Sequence, residues 1–282
     1  MRSCAATTRT GWEGGLDTLC RIVGSERWGP GRCAVEIVLL PAEDRQQIDT
    51  FSVAHIDDPL TFAELYDAFR NVAAGRTGKC FLSLDSLDQC VYTSMHAVEK
   101  HDMDDELTLD VPEDEDPAQL RAYDVARFKL IRDVLSDPDR AVGFDSAGEE
   151  LDIDEDVVSA LVRIQRNSEA ILEETHVVQC LPTSDPVDLL ANIPNGYFDG
   201  DIGPFGTVAI ARRMLTHGYE LFGIGARLLG FIRTAEPTPA LVEDLKLLYR
   251  QKTGAWEELL SVLADSRFLF LGYTQDFPEV VE

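Results

Sequence analysis

The sequence is poor in positive charge. It has 25 lysines and arginines against 51 aspartates and glutamates, a formal net charge of −26 and a pI of about 4.4. Binding nucleic-acid phosphates over a broad surface requires a basic face that releases counterions. An anionic membrane surface also repels a chain of this charge. We therefore expect neither nucleic acid nor membrane among its partners.

Long hydrophobic runs are also lacking. No apolar stretch reaches the length of about 18 residues that a transmembrane helix needs. Arg2 and Arg9 near the start are not followed by the apolar core of a secretory signal. On these grounds we predict a cytoplasmic protein.

Recognisable catalytic and metal-binding motifs are missing as well. The six cysteines include no C-x-x-C pair, and the five histidines show no H-x-x-x-H spacing. No G-x-S-x-G, P-loop or H-E-x-x-H motif occurs. We therefore predict no cofactor and no metal site, and we expect reduced thiols. Catalysis is disfavoured but stays open, because triads can assemble from distant positions.

The chain does contain enough apolar residues for a folded core. Hydrophobic residues make up 45% of the chain and charged residues 27%, which is ordinary globular usage. The patterns predict an α/β (α+β) protein. We expect a small mixed sheet with helices on the N-terminal side, and a C-terminal α/β domain with a β-hairpin and flanking helices.

Four segments are predicted along the chain. They are a poorly ordered leader (1–33), an N-terminal α+β domain (34–116), a helical connector (117–175) and a C-terminal α/β domain (176–282). A capping box from Thr61 to Glu64 predicts the start of the first helix. Strands are predicted in the N-terminal domain at 34–40, 50–56, 79–85, 90–98 (where a helix is the alternative) and 106–111.

The negative charge is concentrated in the middle of the chain. Residues 99–116 contain ten acidic residues and one lysine, and residues 145–156 contain seven acidic residues and no base. Such a surface accelerates encounter with a basic protein and disfavours other partners. The alternative is a solvated face whose carboxylates cap helices. The predicted acidic docking face consists of Asp102, Asp104, Asp105, Glu106, Glu113, Asp114, Glu115 and Asp116.

A turn-rich loop and the helix after it form a second candidate binding site. Loops on a rigid scaffold often carry binding residues, and paired carboxylates can act as acid and base when burial separates their pKa values. In the alternative interpretation, the aromatic rings anchor the loop in the core and Asp201 caps the next helix. The candidate residues are Asn195, Gly196, Tyr197, Phe198, Asp199, Asp201, Arg212 and Arg213.

Residues 176–282 resemble an uncharacterised family of bacterial domains of unknown function. The resemblance lies in the Ile193–Tyr197 turn, the helix after it, the Gly218–Gly225 hairpin segment and the aromatic-rich stretch Leu263–Tyr273. It implies a small α/β domain in the bacterial cytosol. It implies no reaction, and no functional residue is transferred from it.

Three hypotheses about function result. The favoured one is a non-enzymatic bacterial protein that binds a basic protein, in the manner of an immunity or inhibitor protein. The second is a hydrolase-like or transferase-like enzyme that acts on a small polar substrate at the Asn195–Asp201 loop. The third is that the acidic surface serves only solubility or adaptation to salt.

Overall fold

The structure is a computed structural model that describes residues 21–23, 35–40, 49–112, 116–153, 157–252 and 254–281. The predicted leader (1–33) lies outside the described residues, except for a short strand at Arg21–Val23. Within the described part of the chain, no helix has the length and apolar character needed to cross a membrane.

In the described residues, eight strands form one mixed sheet. The order across the sheet is β1-β2-β3-β5-β4-β6-β7-β8, and neighbours are antiparallel except β4 and β6. The sheet and its helices confirm the predicted α/β class. The strands are β1 (Arg21–Val23), β2 (Glu36–Leu39), β3 (Ser52–Asp57), β4 (Lys79–Ser83), β5 (Thr175–Leu181), β6 (Tyr219–Ile224), β7 (Leu228–Arg233) and β8 (Phe268–Gly272).

This sheet crosses the predicted domain boundaries. Strand β5 comes from the segment predicted as a separate C-terminal domain, yet it lies between β3 and β4. Strand β4 then pairs in parallel with β6. Pairing on both sides of β5 satisfies backbone groups that would otherwise need other partners. The prediction of two separate sheets is therefore corrected to one sheet shared by segments 34–116 and 176–282.

Helices pack around the sheet. Three of them begin with proline, which lacks an N–H that the first helical turn would leave unpaired in any case. Short 3-10 helices lie at Ser168–Ile171, Pro186–Ala191 and Phe277–Val281. The α-helices are α1 (Phe62–Ala73), α2 (Leu87–Lys100), α3 (Pro117–Leu135), α4 (Phe144–Ala147), α5 (Val157–Arg166), α6 (Pro204–Thr216), α7 (Pro239–Leu248) and α8 (Trp256–Asp265).

Helix α1 packs on the sheet through aromatic rings. Its start lies where it is predicted, and the Thr61 hydroxyl accepts a hydrogen bond from the Glu64 amide (3.2 Å). The reciprocal bond of the capping box is not formed, because Glu64 Oε2 is buried without a hydrogen-bond partner. Phe62 lies edge-on to Phe268, and Tyr66 lies edge-on to Phe222, with ring centroids 5.0 Å apart in both pairs. Such pairs contribute stability beyond the apolar area that they bury.

The segment 90–98, predicted as a strand with a helix as the alternative, belongs to helix α2. Its β-branched and aromatic residues favour a strand locally. The Thr93 hydroxyl, however, donates to the Gln89 carbonyl one turn earlier (2.8 Å), as in a helix. The buried side chains also recur at helical spacing: Cys90, Thr93, Ser94, Ala97 and Val98. Burial of this face therefore decides the structure against local propensity.

The segment 106–111, also predicted as a strand, forms turns and irregular chain. Its apolar residues are largely exposed, with Leu109 at 45% and Val111 at 61%. The Leu107 amide donates to the Asp104 carbonyl in a turn (2.9 Å). No strand of the described residues pairs with it. Alternation predicts a strand only where a sheet can bury one of its faces.

Cys80 and Cys180 form a disulfide, which corrects the expectation of reduced thiols. The two residues lie directly opposite each other on the antiparallel strands β4 and β5, with Cα atoms 4.0 Å apart. Because 100 residues separate them along the chain, no local spacing indicates the pair. The cytoplasmic location stays a prediction.

Candidate functional site

A cleft of about 380 Å³ lies between helices α2 and α3, and we call it the α2–α3 cleft. Side chains from α2 and α3 form its walls. Its floor consists of buried residues from two places in the chain, before β3 and after the 3-10 helix Pro186–Ala191. Those floor residues are Asp49, Phe51, Asn192 and Ile193.

Asp49 is a buried carboxyl group at this floor. Its Oδ1 accepts hydrogen bonds from the Phe51 amide (2.8 Å) and from Gln179 Nε2 (2.9 Å). Its Oδ2 accepts one from Asn192 Nδ2 (2.8 Å). Burial raises the pKa of Asp49, and the negative charge of Asp124 raises it further, although the three donors oppose the shift. The donors fix the carboxyl group in one orientation.

Asp124, on α3, is the second buried carboxyl group of the cleft. It is 7% exposed, and its Oδ2 accepts a hydrogen bond from the Thr50 amide (2.8 Å). One turn earlier, Arg121 donates to the Thr50 carbonyl (2.7 Å), and its guanidinium lies 4.6 Å from the centre of the Phe51 ring. These contacts hold α3 against residues 49–51, which places Asp49 and Asp124 in one cleft.

Two more carboxylates stand at the rim of the α2–α3 cleft. The Glu99 side chain is 84% exposed. Asp104 forms an ion pair with Arg127 of α3 (3.4 Å). Arg127 is the one basic residue among the described residues that line the cleft. Four carboxyl groups therefore surround one guanidinium that already has a partner, which makes the cleft attractive to cations.

A second acidic cleft, of about 640 Å³, adjoins the first along residues 102–106 and the end of α3. The basic residue that lines it within the described chain, Arg140, is already engaged. Arg140 donates to the His101 carbonyl (2.5 Å) and stacks over the Phe205 ring at 4.8 Å. The carboxylates of this second cleft are Asp102, Asp105, Glu106, Asp133 and Asp137.

The residues of the predicted acidic docking face have different surroundings. Asp116 caps α3, where it accepts a hydrogen bond from the Ala118 amide (3.0 Å), as the alternative interpretation expects. Four residues line the two clefts: Asp102, Asp104, Asp105 and Glu106. Three lie outside the described residues: Glu113, Asp114 and Glu115.

The first half of the Asn195–Asp201 loop is buried. Asn195 is 4% exposed, and its Nδ2 donates weakly to the Cys90 carbonyl (3.4 Å). The Asn195 Oδ1 accepts a hydrogen bond from the Gly196 amide (2.9 Å). Gly196 has a φ of +96°, which only glycine adopts readily. These two residues therefore shape the turn rather than face a ligand.

Asp201 joins the loop to the chain that follows β8. Its two oxygens accept hydrogen bonds from the Phe198 amide (3.2 Å) and the Gln275 amide (3.1 Å). Burial raises the pKa of Asp201 to about 6. The residue that precedes α6 as its cap is Gly203, so Asp201 does not cap this helix as the alternative interpretation predicts.

The rest of the loop lies at the surface. The Asp199 side chain is fully exposed and pairs with Lys100 (3.2 Å), which also donates to the Tyr197 carbonyl (2.9 Å). Phe198 is 42% exposed and Tyr197 is half-buried. Phe198 is therefore not a core anchor, contrary to the alternative interpretation of this loop.

Arg212 and Arg213 lie away from the loop, so the predicted binding set is not one site. Arg213 forms a bidentate pair with Asp244 of α7, at 2.6 and 2.8 Å, and this pair lowers the pKa of Asp244. His217 Nε2 lies 2.5 Å from the same carboxylate. Arg212 lines a small cleft beside Arg132. Both arginines lie roughly 12 Å or more along α6 from its start.

Of the four carboxyl groups of the α2–α3 cleft, the predicted docking face contains only Asp104, and the sequence did not indicate the buried residues of the floor. Asp49 lies in a polar stretch before β3, and Arg127 is one of many charged residues of α3. One signal was available for Asp124, which falls one turn from Leu120 and from Phe128 on the face that α3 buries. A carboxyl group on such a face requires a polar partner.

Metal ligation and thiol chemistry find no support in the described residues. No group of three or more His, Cys, Asp or Glu side chains there is arranged to hold a metal ion. Cys90, which forms no disulfide, is 1% exposed. Burial raises the pKa of the Cys90 thiol and keeps it protonated.

Comparisons of the chain with models of protein families, with curated proteins and with solved structures found no match. The resemblance of residues 176–282 to bacterial domains of unknown function therefore stays a prediction.

Proposed function

We propose that the protein binds a basic protein partner through the two acidic clefts beside α3. The observation that carries this proposal is the count of charged groups in the clefts. Four carboxyl groups line the α2–α3 cleft and five line the second cleft. Among the described lining residues Arg127 and Arg140 oppose them, and each already has a partner. Arg132, outside the lining, pairs with Asp133 (2.8 Å), which leaves the other carboxylates of the second cleft in excess.

The α2–α3 cleft suits the side chain of lysine or arginine. Its interior walls include the apolar residues Val98, Phe128 and Ile193, whereas the carboxylates Glu99 and Asp104 stand at its rim. Lysine and arginine have an apolar stem and a charged head. The stem can contact the apolar walls while the head remains close to carboxylates.

The other two hypotheses receive less support. An enzyme at the Asn195–Asp201 loop lacks the two arginines that the sequence assigned to it, because both lie in the last two turns of α6 and Arg213 pairs with Asp244. Solubility alone does not require carboxylates to line concave sites. The exposed acidic residues elsewhere, such as Glu169 and Glu257, serve as the comparison for a test.

A salt-dependent binding measurement tests the proposal. The probe is a peptide of alternating lysine and serine, titrated calorimetrically into the whole protein at low and at high salt. We expect binding at low salt that weakens steeply as salt screens the charges. Exchanging three exposed cleft carboxylates for amides should weaken binding at least tenfold: Glu99→Gln, Asp105→Asn and Glu106→Gln.

A matched triple variant removes the same charge far from the clefts. It carries Glu169→Gln, Glu257→Gln and Asp265→Asn, all at exposed positions. We expect its affinity for the peptide to change less than threefold. Equal weakening by both triple variants would mean that only net charge matters, and an absence of binding at low salt would exclude the proposal.

A further inference from the structure

A row of aromatic rings runs along the surface from α2 to the Asn195–Asp201 loop. The ring centroids of Tyr92 and His96 are 4.6 Å apart, and those of His96 and Tyr197 are 4.9 Å apart. Phe198 extends the row, with its centroid 5.1 Å from that of Tyr197. We call these four residues the aromatic row.

The aromatic row is unusually exposed for its apolar character. Tyr92 is 51% exposed and Phe198 is 42% exposed, and Met95, on the same face of α2, is 56% exposed. A contiguous exposed apolar patch on a soluble protein is often an interaction site. Tyr, Phe and Met are also enriched where protein interfaces are fully buried.

The one cation beside the aromatic row, among the described residues, is neutralised within the protein. Lys100 Nζ lies 5.7 Å from the centre of the Tyr197 ring and pairs with Asp199 (3.2 Å). The row therefore does not repel a basic segment. The nearby Glu99, also on α2, attracts one.

The aromatic row and the α2–α3 cleft share helix α2. Met95 and Glu99 both line the cleft, and Met95 follows Tyr92 by three positions. Residues three apart are neighbours on a helix surface. A single partner segment that lies along α2 can therefore contact the aromatic row and the acidic cleft together.

We infer that the basic partner presents an amphipathic segment to α2. Its apolar side chains cover the aromatic row, and its lysine or arginine side chains enter the α2–α3 cleft. Charge complementarity selects this occupant. The carboxylates of the cleft repel an acidic segment at the end of the aromatic row, and a neutral segment gains no electrostatic attraction from them. The inference rests on the proposed function, since it describes the segment through which the same basic partner binds.

Two peptides of equal length and equal positive charge test the inference. One combines lysine and leucine so that a helix presents one apolar face, and the other combines lysine and serine. We expect the whole protein to bind the lysine–leucine peptide at least tenfold more tightly. Tyr92→Ala with Phe198→Ala should remove this preference, while binding of the lysine–serine peptide should change less than twofold.

Two controls locate the effect on the aromatic row. Leu60→Ala with Leu247→Ala removes apolar side chains that are 60% and 45% exposed elsewhere, and this variant should keep the tenfold preference. Tyr92→Phe retains the ring and should keep it too. Because the altered side chains are exposed, we expect unchanged unfolding curves for all three variants.

The outcomes separate this inference from the proposed function. Equal affinity of the wild-type protein for the two peptides would overturn the inference and leave the acidic clefts as the binding site. The same would hold if the two leucine substitutions reduced the preference as much as the Tyr92 and Phe198 substitutions did. Failure to bind either peptide at low salt would overturn the proposed function itself.

Discussion

Carboxylates at the centre of the sheet are buried and form hydrogen bonds within the protein, whereas those beside α3 mostly face solvent. Asp85, which follows β4, is 3% exposed and accepts a hydrogen bond from Arg227 Nε (3.2 Å). Glu99 and Glu106, in contrast, are exposed at the rims of the clefts. A buried carboxylate requires a specific partner. Water and salt screen exposed carboxylates, which can therefore accumulate on one face.

The inner group consists of the buried carboxyl groups Asp49, Asp85 and Asp201, and the outer group of Glu99, Asp105 and Glu106. Substitutions near the inner group should change folding stability, because each member organises two or more chain segments. Substitutions in the outer group should change binding and leave stability nearly constant. Three measurements test this difference between the inner and outer groups.

The largest effect is expected for Gly225→Ala. A Cβ at this position would overlap Oδ1 of Asp85, which would move the carboxylate away from Arg227. Displacing the buried Asp85 carboxylate from Arg227, which is 31% exposed, should cost about 3 kcal/mol of unfolding free energy. Urea unfolding of the variant measures this loss.

Gly75→Ala is the matched control for this substitution. Nothing lies within 4 Å of a Cβ placed at Gly75, so the change should be neutral or stabilise the protein by up to about 1 kcal/mol. An equal loss of stability in Gly225→Ala and Gly75→Ala would contradict the role of the Asp85 contact.

A smaller effect is expected from the titration of Asp201. Its pKa is raised to about 6 in the folded protein, so the folded state binds the proton more tightly than the unfolded state does. The stability that this group contributes is complete below its unfolded pKa of about 3.9 and is lost as pH rises through its folded pKa. At about 1.4 kcal/mol for each pH unit between the unfolded and folded pKa values, we expect a change of about 2 to 3 kcal/mol in this window.

Thermal unfolding of the wild-type protein and of Asp201→Asn between pH 4 and 8 measures this contribution. The variant cannot titrate at this position, so the stability difference, wild type minus variant, should fall with rising pH and level off above about pH 7. A difference that stays constant or grows with pH would show that Asp201 is not a buried titrating group.

The smallest effect is expected in the outer group. The triple exchange Glu99→Gln, Asp105→Asn and Glu106→Gln should change the unfolding free energy by no more than about 0.5 kcal/mol, because the three side chains are exposed. Urea unfolding at low salt is the measurement. A loss of several kcal/mol would mean that these carboxylates stabilise the fold as the inner group does, and would contradict the difference between the two groups.

Elements with strong local signals could be predicted from the sequence. The Thr61 cap lies at the start of α1 as expected. The hairpin of β6 and β7, around Gly225–Arg227, also forms as predicted. In both cases residues close in the chain carry the whole signal, through a cap or a turn between apolar runs.

The segment 90–98 and the candidate site depended on distant contacts. Local propensity favours a strand at 90–98, but the buried face of α2 imposes a helix. The acidic segment around Asp102–Glu106 was located from composition, yet the clefts beside it were not predicted. A concave site depends on how α2, α3 and the chain before β3 are placed relative to one another. Amino-acid composition carries no information about that placement.

Composition and neighbouring residues are sufficient to predict the charge, the α/β class, the start of α1 and the β6–β7 hairpin. Long-range packing determined the insertion of β5 between β3 and β4 and the Cys80–Cys180 disulfide. It also decided the α2–α3 cleft, whose Asp49 is held by Gln179 and Asn192, 130 and 143 positions away. Contacts over such separations form only when the whole sheet is assembled, and they position the acidic residues that we propose as the binding site.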